Sequence, residues 1–156
     1  MEQFPKQGKT KSGRQLDRNQ CRKCFAAYIA RWFREEPGAK AIRARKSHKK
    51  RATKLQLPHV AYDVFDIYDR DGGTCSLCGE PCEKYKPNGH RAFDIEHVVP
   101  LQVDTASLPS FGIDGHPGDV PWNVTIAHGS CNTSKGNRMT KEDVATYFRL
   151  RDTYKE

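Results

Sequence analysis

The sequence predicts an α+β fold: a basic, largely helical N-terminal arm over residues 1–58, and a small body over residues 59–156 built on two short strands and helices. Three observations predict it. Apolar residues recur at helical spacing in 25–33 and in 60–68, whereas residues 93–96 alternate with period two. Residues 1–60 hold 17 Lys/Arg against 4 Asp/Glu, and residues 61–156 hold 10 against 15, so a cationic arm is joined to a mildly acidic body. Two pairs of metal-type ligands, each with the same two-residue gap, flank the strand region.

Composition narrows the function classes. The chain has 156 residues with 36% hydrophobic content and a mean hydropathy of −0.84. That is lean for a single core, and a small lean core relies on a metal or disulfides. A basic arm calls for a polyanionic partner, usually nucleic acid, against the plainer reading of a solvated helix. The N-terminus is polar, without a signal-peptide core, and no run approaches the ~18 apolar residues of a membrane span. The expected setting is cytoplasmic and away from membranes. There, cysteines in C-x-x-C spacing serve metals rather than disulfides.

Residues 1–20 are polar and aperiodic, and are expected to be disordered until nucleic acid binds. Cys21-Arg22-Lys23-Cys24 can be half a zinc site, but the sequence specifies neither whether it binds zinc nor the remaining ligands, which His48 or other residues would supply. Phe25, Tyr28, Ile29, Trp32 and Phe33 then share one helical face, read as core rather than a base-stacking platform. Pro37-Gly38 breaks this helix. Residues 39–57 carry Arg43, Arg45, Lys46, Lys49, Lys50, Arg51 and Lys54 on a helix with little to bury, suited to lying along phosphates. After Pro58 a second amphipathic helix is expected over 59–70, with Val60, Val64, Ile67 and Tyr68 on its apolar face. Asp71-Gly72-Gly73 ends it.

Cys75-Ser76-Leu77-Cys78-Gly79 forms the first ligand pair of the body, with Cys82 as a spare thiol or alternative ligand. Phe93-Asp94-Ile95-Glu96-His97-Val98-Val99-Pro100-Leu101 opens as a half-buried strand. Asp94 and Glu96 fall on one face, and His97 on the other unless the strand ends or bulges there. Two carboxylates without a basic partner in the strand, beside an imidazole, suit a hard cation and a proton-transfer base. Surface acids and a satisfied histidine are the plainer reading. Residues 101–121 make a long loop in which His116 is a loop residue or a substrate contact. Residues 122–128 supply the second strand. His128-Gly129-Ser130-Cys131 repeats the earlier gap, and with Cys75 and Cys78 it closes a Cys3His site of the structural zinc kind. Such a zinc staples a lean body. Thr140 and Asp143 form an approximate capping box ahead of a short helix with Val144, Tyr147 and Phe148.

Taken in order, C-x-x-C, Asp94-Ile95-Glu96-His97-Val98-Val99-Pro100-Leu101, Trp122-Asn123-Val124, and His128-x-x-Cys131-Asn132-x-x-Lys135-Gly136 resemble the HNH endonuclease family over residues 70–138. The arm resembles, more loosely, the N-terminal part of small phage-encoded HNH proteins. The resemblance implies a ββα-metal fold and metal-dependent hydrolysis of DNA phosphodiester bonds to a 5′-phosphate and a 3′-hydroxyl. It implies His97 as general base and Asn123 as the residue that bonds backbone across the loop and steadies it. Glu96 and Asn132 become the ligands of a catalytic Mg²⁺ or Mn²⁺, other divalent ions being acceptable. Asp94 becomes a second-shell contact, and Lys135 and Arg138 become contacts to the DNA backbone. Glu96 stands where the family usually has Asp, and His128 replaces the usual third Cys. Implied partners are DNA and, through the phage likeness, packaging proteins in a bacterial cytoplasm. The competing expectation is a non-catalytic, zinc-stapled DNA-binding or packaging-associated protein.

Overall fold

The computed structural model describes residues 6–9, 15–17, 22–84, 89 and 91–154. The elements in order are β1 (Lys6–Lys9), β2 (Gln15–Asp17), α1 (Arg22–Glu35), α2 (Ala39–Lys54), α3 (Val64–Arg70), β3 (Phe93–His97), β4 (Val124–His128), α4 (Gly129–Lys135) and α5 (Lys141–Thr153). Helices and two antiparallel strand pairs make the mixed α+β arrangement. No described helix is long and apolar enough to cross a membrane.

The strand pair β3–β4 is the spine of the body. It is antiparallel and in register from Phe93↔His128 to His97↔Val124, with no bulge. Paired residues in such a ladder share a face, so Phe93, Ile95, Val124 and Ile126 point one way. They enter a core cluster with Val64, Ile67 and Tyr62. A second cluster gathers Val98, Val99, Leu108 and Ile113 with Tyr147 and Leu150 of α5. The capping box that starts α5 is complete: Asp143 N donates to Thr140 Oγ1, and Thr140 N donates to Asp143 Oδ2. A cap of this kind contributes ~1 kcal/mol.

α2 lies directly against β3. Ala39, Ala41 and Ala52 are fully buried, and such small side chains permit close approach. Gly38, which precedes the helix, has φ 63°, and the rings of Phe65 and Phe93 fill the space a Cβ would need. The basic helix is therefore docked on the body along its small-residue side.

Several expectations change. Part of the 1–20 segment, expected to be disordered, pairs as β1 and β2; backbone pairing needs no apolar face, so hydropathy does not report it. Cys21 lies outside the described residues, and with it the question of a Cys21/Cys24 zinc site. The aromatic face of α1 joins neither core cluster, and Tyr28 is 46% exposed. α1 packs on α2, whose surface is mostly polar, and the Arg43 guanidinium sits 5.1 Å over the Phe33 ring. The helix expected from residue 59 starts only at Val64, because Asp63 accepts from Phe65 N and caps it there. Val60 consequently lies exposed. Within the long loop, Thr105–Phe111 forms a 3-10 helix capped by Asp104 and anchored by buried Leu108.

The loop returns to the body at Gly118, where Asp119 N donates to Pro58 O. Gly118 has φ 79°, and a Cβ there would fall inside contact with Pro58 O. Gly118→Ala is expected to destabilise the protein by more than ~2 kcal/mol, combining left-handed strain with backbone displacement. Urea denaturation followed by tryptophan fluorescence checks this; an unchanged midpoint would contradict the close approach.

Candidate functional site

The two ends of the β3–β4 hairpin carry different chemistry. At one end, the C-x-x-C turn after α3 meets the junction of β4 and α4. Cys75, Cys78, His128 and Cys131 bring one ligand atom each to within 4.8 Å of one another. Nδ1 of His128 faces the sulfurs, 3.4 Å from Cys78 Sγ and 3.9 Å from Cys131 Sγ. Its Nε2 lies 3.2 Å from Pro81 O, and a carbonyl can only accept, so Nε2 carries the proton and Nδ1 is left to ligate. Backbone N of His128 also donates to Cys75 Sγ. The residues fit a tetrahedral ion such as zinc. Cys82 stays outside the tetrad: it is buried in the core, and burial pushes its thiol up to about 12.

At the other end, His97 closes β3 and points to Asp119. Nε2 of His97 lies 3.0 Å from Asp119 Oδ1. Asp119 is 0% exposed, and it also receives Tyr62 OH at 3.0 Å and His59 Nδ1 at 3.0 Å. Burial pushes its carboxyl up, but the hydrogen bonds from His97 and Tyr62 outweigh this and hold it below the usual range. An ionised carboxylate only accepts, so His97 Nε2–H is the donor and Nδ1 keeps the lone pair. Burial lowers the His97 pKa below its ordinary value, with Asp119 opposing, so the ring is neutral at pH 7.

His48 of α2 packs edge-on against His97, with ring centroids 4.6 Å apart. Burial, then the neighbouring His97, lowers its pKa to about 3. Its Nδ1 is buried without a hydrogen-bond partner, an arrangement that costs ~1–3 kcal/mol. His48, in sequence terms a candidate partner of Cys21 and Cys24, lies in this cluster with His97 and Asp119. Asp119, Tyr62 and His59 were missed altogether. The one signal for Asp119 was a carboxylate set directly before the apolar Val120-Pro121-Trp122.

Asn123 is fully buried. Its Oδ1 accepts from Val99 N, and its Nδ2 donates to Val99 O and Gly118 O. It thereby ties the chain beyond His97 to the loop that delivers Asp119. His116 is a loop clasp: Gly118 N donates to its Nδ1, and its Nε2 donates to Pro100 O.

His48, Arg51, Glu96, His97, Asn132 and Asn137 border one small polar cleft of about 60 Å³. Asn132 spends an amide N–H on Ile95 O, so its oxygen lies at the other end of the group. The carboxylates expected to lack basic partners have acquired them. Glu96 Oε1 is 2.5 Å from Lys135 Nζ. Burial nevertheless raises the Glu96 carboxyl to about 7 against the pull of Lys135. Asp94 lies outside the cleft, raised by burial and opposed by Lys40.

Lys135, expected as a contact to the DNA backbone, is turned inward and pairs with Glu96. It is 9% exposed and also donates to the carbonyls of His97 and Val98. Arg138 is exposed and donates to the Ser134 and Lys135 carbonyls at the end of α4. On α2, Arg45 donates to Tyr62 O, whereas Lys46, Lys49, Lys50 and Arg51 are exposed. No family model matches the chain, and no curated protein or solved structure matches it either.

Stripping the metal should unfold the hairpin, since structural zinc sites contribute ~10–16 kcal/mol of folding energy. A strong chelator, or Cys131→Ser, is expected to abolish the cooperative thermal transition seen by circular dichroism. A transition temperature insensitive to both would rule the staple out.

The histidine cluster sets an acid limit. His48 titrates at 6.5 when unfolded and about 3 when folded, so between these values the unfolded state binds more protons. Stability therefore falls with falling pH, by ~1.4 kcal/mol per pH unit for each such group. His48→Leu should flatten the slope between pH 6.5 and 5 by about that amount. Urea titrations with no free metal added measure it, and the difference from wild type cancels the thiolate contribution. Equal slopes in the two proteins would count against a neutral buried His48.

Proposed function

We propose that the chain is a metal-dependent endonuclease of the HNH type that hydrolyses DNA phosphodiester bonds. The observation that carries this reading is the layout of the hairpin. β3 pairs with β4 and β4 runs straight into α4, with the Cys3His tetrad at one end and Glu96, His97 and Asn132 around one cleft at the other.

His97 is the general base. Asp119 accepts its Nε2–H and leaves Nδ1 to take a proton from an attacking water, and the same carboxylate stabilises the imidazolium that forms. Asn123 fixes the backbone that follows His97. Glu96 and the Asn132 amide oxygen fit a hard cation in composition, since two protein oxygens leave room for water and phosphate. A Mg²⁺ or Mn²⁺ ion there would neutralise charge at the scissile phosphate and the leaving 3′ oxygen. Lys135 already balances part of the Glu96 charge, so the free ion is held weakly and DNA phosphate adds to its affinity. Zinc in the Cys3His tetrad is structural. Arg51 borders the cleft, and together with Lys46, Lys49 and Lys50 it supplies salt-sensitive phosphate contacts. Arg138 adds one from α4. Products are a 5′-phosphate and a 3′-hydroxyl.

The Glu96–Lys135 ion pair favours a second reading, a zinc-held DNA-binding or phage packaging-associated protein without catalysis. Plasmid cleavage with Mg²⁺ or Mn²⁺ decides between them. Wild type is expected to cut, and His97→Ala, with its zinc content unchanged, to cut ~10²–10⁴-fold more slowly. Wild-type protein that binds DNA in a salt-sensitive way yet cuts nothing would establish the second reading instead.

A further inference from the structure

We propose that His48, His97 and Asp119 form a second metal site that takes a borderline divalent transition ion such as Zn²⁺, Co²⁺ or Ni²⁺ and bridges α2 to the body. One ligand atom from each residue lies within 4.8 Å of the others. Two imidazoles and one carboxylate are the donor set such ions prefer over Mg²⁺. The site contains no thiolate and shares no residue with the Cys3His tetrad or with Glu96 and Asn132.

Two further observations point to a ligand here. His48 is 9% exposed, and its buried Nδ1 has no hydrogen-bond partner. Asp119 is held by Tyr62 OH on Oδ1, the oxygen that faces His97, and by His59 Nδ1 on Oδ2. Outer partners of this kind fix the direction of metal-binding carboxylates. The 60 Å³ cleft bordered by His48 and His97 has room for water to complete the coordination.

Ligation through Nε2 of His97 replaces its hydrogen bond to Asp119 and moves the ring proton to Nδ1, with no net proton release. The ion and the general base then exclude each other, so Zn²⁺ in this site inhibits cleavage. That consequence rests on the nuclease reading; the metal site does not.

The test uses the full chain loaded with Co²⁺ and desalted, with cobalt per chain from elemental analysis and thiolate-to-cobalt charge transfer from absorption. His48→Ala and His48→Phe, the second keeping the ring volume, are expected to bind one cobalt fewer than wild type. The thiolate band should be unchanged in both, which also shows that the tetrad is folded. A cobalt held by Cys21 and Cys24 with His48 would take part of the thiolate band with it, so an unchanged band separates the two sites. Glu96→Ala is expected to keep the wild-type count. A wild-type count in either folded His48 variant overturns the site, and so does loss of the same ion in Glu96→Ala. Cobalt counts are read without DNA, so failure of the nuclease reading appears separately, as absent cleavage.

Discussion

A carboxylate with no exposed surface must have its charge met by donors, and at Asp119 the donors come from two distant parts of the chain. His59 and Tyr62 come from the segment before α3, and His97 from the end of β3. The backbone repeats the connection, with Val60 N donating to Asp119 O and Asp119 N to Pro58 O. Removing a carboxylate from water costs several kcal/mol unless such bonds replace hydration. The cost falls on any arrangement that separates these segments. The long loop, the connection after α2 and the strand end are thus fixed together, and the orientation of the His97 ring follows.

The hairpin works as a short rod with unlike ends. Its five-residue strands supply little burial by themselves. Soft sulfur ligands close one end, and a polar network of imidazole, carboxylate and amide closes the other. Lys135 belongs to that network. Its ammonium holds Glu96 and two backbone carbonyls at the end of β3, so one buried cation orders both a side chain and the turn beyond it. Burial still outweighs this pairing for Glu96, whose carboxyl is raised to about 7. A buried ion pair of this sort fixes geometry more than it adds stability.

What the sequence made legible is what local geometry determines. The two-residue gaps of Cys75/Cys78 and His128/Cys131 place ligands on single turns, and they meet in space. Period-two alternation marked β3, and Thr140 with Asp143 marked the start of α5. Contacts made across the chain were not legible. Asp119 sits in an aperiodic loop, where no pattern separates a buried hub from a solvated acid. Lys135 lies in a polar run that reads as surface, and only the docking of α4 on β3 buries it. His48 is a lone histidine in a basic stretch, and its place depends on α2 packing through alanines. For α1, apolar periodicity showed a face but not whether the chain has anything to cover it.

That packing changes what a basic helix can contribute. A tethered arm adds affinity for DNA without placing the phosphates relative to the cleft. A docked helix adds position. His48 and Arg51 are three residues apart, hence on the same face of α2, and both border the cleft. Lys46, Lys49 and Lys50 lie exposed along the same helix. A phosphate held by Arg51 therefore sits within a helical turn of the ring that packs on His97. On the nuclease reading, the cationic helix that binds DNA also sets the distance between backbone and base. Positioning of that kind, and not attraction alone, is what lowers the barrier to in-line attack.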